Sequence, residues 1–221
     1  MSIKQQIEQL HATLPEDVTL VAVSKFHPAE AIIEAYEAGQ RIFGESRPQE
    51  MAAKAVSLPE DIEWHMIGHL QTNKVKMIAP FVKLIHSVDS PRLLAEINRW
   101  GEKCGRTIDF LFEIHLAKDE SKSGWDLEEF SNFIESDTLA SLKWVRPRGL
   151  MTIGTLTDDI EQNKQEFKTL RQMFDSLKGR FSESFDTVSM GMTSDYEEAI
   201  ECGSTMVRIG SMIFGERDYS K

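Results

Sequence analysis

Thr19-Leu20-Val21-Ala22-Val23-Ser24-Lys25-Phe26-His27-Pro28 is an apolar run that stops at a lysine and passes, without glycine, into a helical pattern beginning at Ala29. The run is short, apolar and partly β-branched, as a buried strand is. An open doubly wound sheet gives the same strand-helix alternation, but its usual mark is a glycine-rich turn after the first strand. Here that turn reads Ser24-Lys25-Phe26-His27, which favours a closed barrel. Similar runs recur at Arg41 to Phe43, Glu63 to Ile67, Leu84 to Val88, Ile108 to Leu116, Val145 to Ile153, Thr187 to Met190 and Met206 to Ile209. That makes about eight strands, the number a (β/α)8 TIM barrel requires. Helical patterns lie between them at Ala29 to Ala38, Pro48 to Val56, Asn73 to Ile78, Arg92 to Lys103, Leu127 to Glu135, Asp158 to Leu177 and Asp195 to Glu201. Pro28 and Pro91 stand at first-turn positions, Ser90 is a candidate cap, and Gly39, Gly179 and Gly203 follow last turns.

Met1 to Pro15 spaces Ile3, Ile7, Leu10 and Leu14 as an amphipathic helix, not as the continuous apolar core of a signal peptide. Only a short segment follows the eighth strand, and this extra N-terminal helix is expected to cover part of the gap. The expected architecture is one α/β domain over residues 1–221, a single (β/α)8 TIM barrel.

The 221 residues carry 25 Lys and Arg against 36 Asp and Glu, a formal charge of -11, which argues against neutralising a nucleic-acid backbone. The longest apolar stretches are short or interrupted by Lys76, Pro80 and Lys83, far from the ~18 uncharged residues of a membrane span. Cys104 and Cys202 form no metal or redox spacing and read as small buried hydrophobes of a reducing compartment. The expected location is cytoplasmic, with no nucleic-acid or membrane partner.

Barrel proteins build their sites at the C-terminal ends of the strands and commonly hold phosphate on the loops after strands seven and eight. Lys25 ends the first strand on the face of Val21 and Val23; it is either a solvated terminus or an amine at the barrel mouth, where partial desolvation suits Schiff-base chemistry. The seventh strand runs into Ser189-Met190-Gly191-Met192-Thr193-Ser194, and the eighth gives Arg208-Ile209-Gly210-Ser211. Two turns with hydroxyls and glycine suggest one phosphate between them, although Thr193 and Ser194 equally suit ordinary helix capping. Arg208 alternates with Val207 and Ile209, so it faces the interior and needs an acceptor. A reactive amine, an anion cradle and an inward arginine together match pyridoxal 5′-phosphate: its aldehyde, its phosphate and its ring nitrogen.

The strings Val21-Ala22-Val23-Ser24-Lys25, Phe43-Gly44-Glu45, His65-Met66-Ile67-Gly68-His69-Leu70-Gln71-Thr72-Asn73-Lys74, Lys122-Ser123-Gly124, Arg148-Gly149-Leu150-Met151, Ser189-Met190-Gly191-Met192 and Val207 to Gly215 occur in that order. In these the chain resembles the pyridoxal phosphate homeostasis proteins, relatives of the barrel domain of alanine racemase. The resemblance implies that Lys25 is the Schiff-base lysine. It also implies that Ser189, Gly191, Gly210 and Ser211 contact phosphate, that Arg208 meets the ring nitrogen, and that Ser24 and Met190 flank the pocket. Ser46 stands where many relatives carry Asn beside the cofactor's phenolic oxygen, and Glu113 and His115 stand where many carry Gln and Asn.

The resemblance implies a carrier or buffer of pyridoxal 5′-phosphate in vitamin B6 homeostasis, a monomer with no catalytic residues, with pyridoxal-phosphate-dependent apoenzymes as recipients. The alternative is a pyridoxal-phosphate-dependent amino-acid racemase, which needs an acid/base on each face of the substrate's α-carbon. Alanine racemase takes its second one, a tyrosine, from a further domain; here the chain ends near the barrel's end, and Tyr36, Tyr196 and Tyr219 fall in helices or the tail. His65 and His69 are four apart, but Gly68 breaks any helix and no third ligand is evident, so no metal is expected. Glu113 and His115 share a strand face, either as an acid/base pair or as mutually satisfied buried groups.

Overall fold

The computed structural model describes residues 1–117, 123–157 and 159–215; Lys122, Asp158 and Tyr219 lie outside them. Eight parallel strands close into one barrel in chain order. α1 (Ile3–Thr13) precedes β1 (Thr19–Val23), and α2 (Ala29–Glu37), β2 (Ile42–Glu45), α3 (Pro48–Ser57) and β3 (Glu63–Met66) follow. A single 3-10 turn leads into α4 (Val75–Ile78), then β4 (Leu84–Val88), α5 (Pro91–Cys104), β5 (Ile108–Glu113) and α6 (Leu127–Glu135). β6 (Val145–Met151), α7 (Ile160–Leu177), β7 (Thr187–Met192), α8 (Tyr196–Glu201), β8 (Met206–Ile209) and α9 (Ser211–Phe214) complete the circuit. Closure comes from β1 pairing with β8, where Val21 lies opposite Arg208.

Local sequence explains the element ends. α5 starts where Ser90 Oγ accepts the Leu93 N–H, has Pro91 in its first turn, and stops at Gly105 in the left-handed conformation (φ 64°). β5 and β6 end earlier than their apolar runs because the backbone there already belongs to the mouth: Ile114 forms an isolated bridge with Trp125. α9 is one turn long, and α1 packs against both it and α2, filling the position the sequence left thin.

Strand alternation sorts the apolar residues into two layers. Ala22, Phe43, Trp64, Ile85, Phe112, Leu150, Val188, Met190 and Val207 face the helices in the main core, each such large side chain contributing roughly 1.5–3 kcal/mol. Val21, Leu84, Leu111, Met151 and Met206 form a smaller cluster inside the barrel. The rest of the interior is polar: His65, His86, Glu113, Ser189 and Arg208 are all buried. Among the described residues no helix is long and apolar enough to cross a membrane.

Candidate functional site

With Val21 inside and Ala22 outside, the next inward positions on the first strand are Val23 and Lys25. Both line a cleft of about 290 Å³ at the C-terminal mouth. Its other walls come from five further strand ends: Ser46, Ile67, Ile153, the turn Met192 to Ser194, and Arg208 with Gly210 and Ser211. The barrel therefore brings together Lys25, Ser46, Arg208, Gly210 and Ser211 from the sequence reading.

Arg208 is only 4% exposed, and its recorded hydrogen bonds go to neutral groups: Nη1–H donates to Ser189 Oγ (2.6 Å) and Nη2–H to Thr152 O (2.9 Å). Burial lowers its pKa to about 10, while the nearby charges of Asp195 and Glu113 pull the other way; at neutral pH it remains a cation. Behind it, Ser189 Oγ lies 3.0 Å from His86 Nδ1, and His86 Nε2 lies 3.0 Å from His65 Nδ1. Burial holds His65 at about 3 and His86 well below the usual histidine value, so both rings are neutral.

Four of the expected residues, Ser189, Met190, Ser24 and Gly191, do not line this cleft. The Ser189 hydroxyl is engaged inside the barrel by Arg208 and His86. Met190 is fully buried in the helix-facing core, as alternation from an inward Ser189 requires. Ser24 also turns away from the cleft, and its Oγ donates to Glu45 Oε1 at 2.6 Å. Gly191 (φ 93°) is a packing glycine: a Cβ there would meet Ala199 Cβ at 2.6 Å and Tyr196 Cα at 3.0 Å.

The loops after β7 and β8 meet directly. Gly210 N–H donates to Thr193 Oγ1 (3.2 Å), and Asp195 Oδ1 accepts the Met192 N–H (2.6 Å). Neither Thr193 nor Ser194 caps α8, whose N-cap is Asp195. α8 spans six residues and α9 four, so any anion recognition here rests on hydroxyls and loop amides, not on a long helix dipole.

Glu113 is buried, with Oε1 accepting from Ser123 Oγ (2.8 Å) and Oε2 unpartnered. Burial raises its pKa, and the Arg208 charge partly opposes this. It and His115, whose Nδ1 is also buried and unpartnered, are not joined to each other by any recorded bond. His65 and His69 part company, the first toward His86 and the second toward Asp89 Oδ2 (3.1 Å). A larger cleft of about 450 Å³ opens at the opposite end of the barrel, but most of its charges are already paired: Arg148 with Asp109 and Asp186, and Lys83 with Glu63. Chemistry, not size, selects the C-terminal mouth.

The alanine racemase N-terminal domain matches this chain over residues 1–218. The chain belongs to that family. Within it, a pyridoxal phosphate homeostasis protein of Vibrio alginolyticus is 38% identical, covering 99% of this chain and 99% of its own length. One from Escherichia coli K12 is 41% identical over 94% of this chain and 89% of its own. PipY of Synechococcus elongatus, solved with pyridoxal phosphate bound, superposes with a TM-score of 0.88 at 36% identity, covering 97% of this chain and all of that one. An alanine racemase of Clostridium difficile shares the barrel (TM-score 0.71) at 16% identity, a likeness of fold alone. The family's barrel is thus the one found here, and what the sequence reading missed is chiefly supporting structure. The Thr152 carbonyl holds Arg208 directly and His86 backs the Ser189 hydroxyl that also accepts from it, yet neither belongs to a motif; only the inward phase of β4 points to His86.

Proposed function

We propose that this chain binds pyridoxal 5′-phosphate and serves as a carrier or buffer of that cofactor in vitamin B6 homeostasis. The carrying observation is a buried arginine with neutral hydrogen-bond partners in the same cleft as an inward strand-end lysine. A desolvated cation of this kind calls for an acceptor from a ligand. The cleft, near the small end of ligand pockets (roughly 300–1,000 Å³), suits one small ring. The homeostasis proteins at about 40% identity and PipY with its bound pyridoxal phosphate support the same reading.

In this reading Lys25 presents the amine, Arg208 holds the ring nitrogen, and Thr193, Ser194, Gly210 and Ser211 hold the phosphate, with Ser46 beside the phenolic oxygen. The bound group supplies an aldehyde that condenses with a primary amine, releasing water. Arg208, charged at neutral pH, donates to the ring nitrogen and does not protonate it, which limits the ring as an electron sink. Neither Tyr36 nor Tyr196 lines the cleft to offer a second acid/base. The protein acts as a monomer that hands the cofactor to apoenzymes.

A second reading, amino-acid racemisation, draws on Glu113, a buried carboxyl with an unpartnered oxygen close enough to interact with Arg208. Solvent deuterium exchange into alanine and serine by the loaded protein separates the two. The carrier gives exchange near that of free cofactor; exchange several orders of magnitude faster, abolished by Lys25→Ala, makes the protein an enzyme.

A further inference from the structure

Lys25 sits on a clamped turn. Phe26, immediately after it, has φ 67°, and among the described residues it is the non-glycine with positive φ. That conformation is costly for a side-chain-bearing residue and persists only where surroundings impose it. They do so here from beneath the sheet. Lys54 on α3, 9% exposed, donates from Nζ to Glu45 Oε1 (2.7 Å), to Glu50 Oε1 (2.7 Å) and to the Ser24 carbonyl (2.9 Å). Glu50 Oε1 in turn accepts the Phe26 N–H at 2.7 Å. The peptide plane before Lys25 is therefore gripped by the cation of an ion pair, and the plane after it by that pair's anion.

A residue's φ and ψ are the rotations of these two planes about its Cα. Holding both fixes the direction in which the Cα–Cβ bond leaves the backbone, and with it the region the amine can sweep. We propose that the Lys54–Glu50 ion pair, with Glu45 behind it, positions Lys25 for condensation by locking the two peptide planes that flank it. Neither side chain lines the cleft, so both act through Lys25 and are positioning residues. Burying a lysine with two carboxylates is a poor way to gain stability, since desolvation offsets most of the attraction. A pair so placed is better explained by the conformation it enforces.

The inference rests on Lys25 being the amine that takes the cofactor, and the test separates the two claims. Wild type, Lys25→Ala, Glu50→Ala and Lys54→Met are titrated with pyridoxal 5′-phosphate, reading the borohydride-reducible adduct. They are titrated in parallel with pyridoxine 5′-phosphate, whose alcohol cannot condense. Glu50→Ala serves as the milder variant, because its side chain is 21% exposed and Lys54 keeps Glu45 as partner. The expected result is an adduct formed at least about tenfold more slowly or weakly in Glu50→Ala and Lys54→Met, with pyridoxine 5′-phosphate affinity held within about twofold. Equal losses for both ligands, or an adduct formed as in wild type, overturn the positioning role. Persistence of the full adduct in Lys25→Ala instead overturns the reading of Lys25 itself.

Discussion

Arg208→Met removes the guanidinium while keeping a long side chain, and its consequences can be worked out on both sides of the balance. In the free protein it strips the donor from the Thr152 carbonyl, a buried acceptor costing ~1–3 kcal/mol when left unpaired, and one of two partners from Ser189 Oγ, which keeps His86. Against this, it relieves the burial of a cation, a penalty of several kcal/mol on the order of magnitude. The terms oppose, so the fold is expected to change by no more than about 2 kcal/mol, a Tm shift of a few degrees at ~2–4 °C per kcal/mol for a chain of this size. Glu113 and Asp195 also lose a charge that lowers their pKa values, so both carboxyls titrate higher in the variant. Ligand binding has no such compensation. A hydrogen bond from a charged donor contributes ~1.5–3 kcal/mol, so calorimetric affinity for pyridoxal 5′-phosphate falls roughly tenfold to a hundredfold. A well-folded Arg208→Met protein that binds the cofactor within about threefold of wild type refutes the placement of Arg208 at the ring.

Ser211→Asp puts a carboxylate on the wall expected to hold phosphate; pyridoxal 5′-phosphate affinity drops by more than about tenfold, ~1.4 kcal/mol, while pyridoxal without phosphate is much less affected. Equal losses for both compounds would place the damage in the barrel itself. His65 and His86 carry folded-state pKa values below the 6.5 of the unfolded chain, so their contribution is fully present above pH 6.5 and is lost as pH falls below it. Denaturant titrations at pH 7 and pH 5 should show the loss, at up to roughly 1.4 kcal/mol per pH unit for each ring, and His65→Gln should flatten the profile. A wild-type stability unchanged across that interval would contradict the neutral, buried state of the pair.

The frame of the site was legible because period-two alternation survives translation from sequence to barrel. It placed Lys25 with Val21 and set Arg208 against Val207 and Ile209, and both side chains point inward as that phase demands. The same rule, applied one residue further, sends Met190 outward once Ser189 is inside. What alternation cannot supply is which inward polar groups meet. Ser189 and His86 are 103 residues apart, and only barrel closure joins them. Lys54 and Glu50 stand four residues apart on α3, a spacing that an exposed helix-face pair shares. Their burial follows from the way α3 lies under Ser24 and Glu45, a tertiary fact with no local signal. Thr193 was likewise readable as a cap, and its true partner, the Gly210 amide, lies on the next strand's loop.

The central claim is that Lys25 holds pyridoxal 5′-phosphate covalently in the cleft it shares with Arg208. Reducing the loaded protein with borohydride and mapping the pyridoxyl group by peptide mass spectrometry tests this most directly. The account predicts the label on the peptide spanning Val21 to Phe26, and none of that label in Lys25→Ala. A label confined to other lysines, with Val21 to Phe26 unmodified, would contradict it.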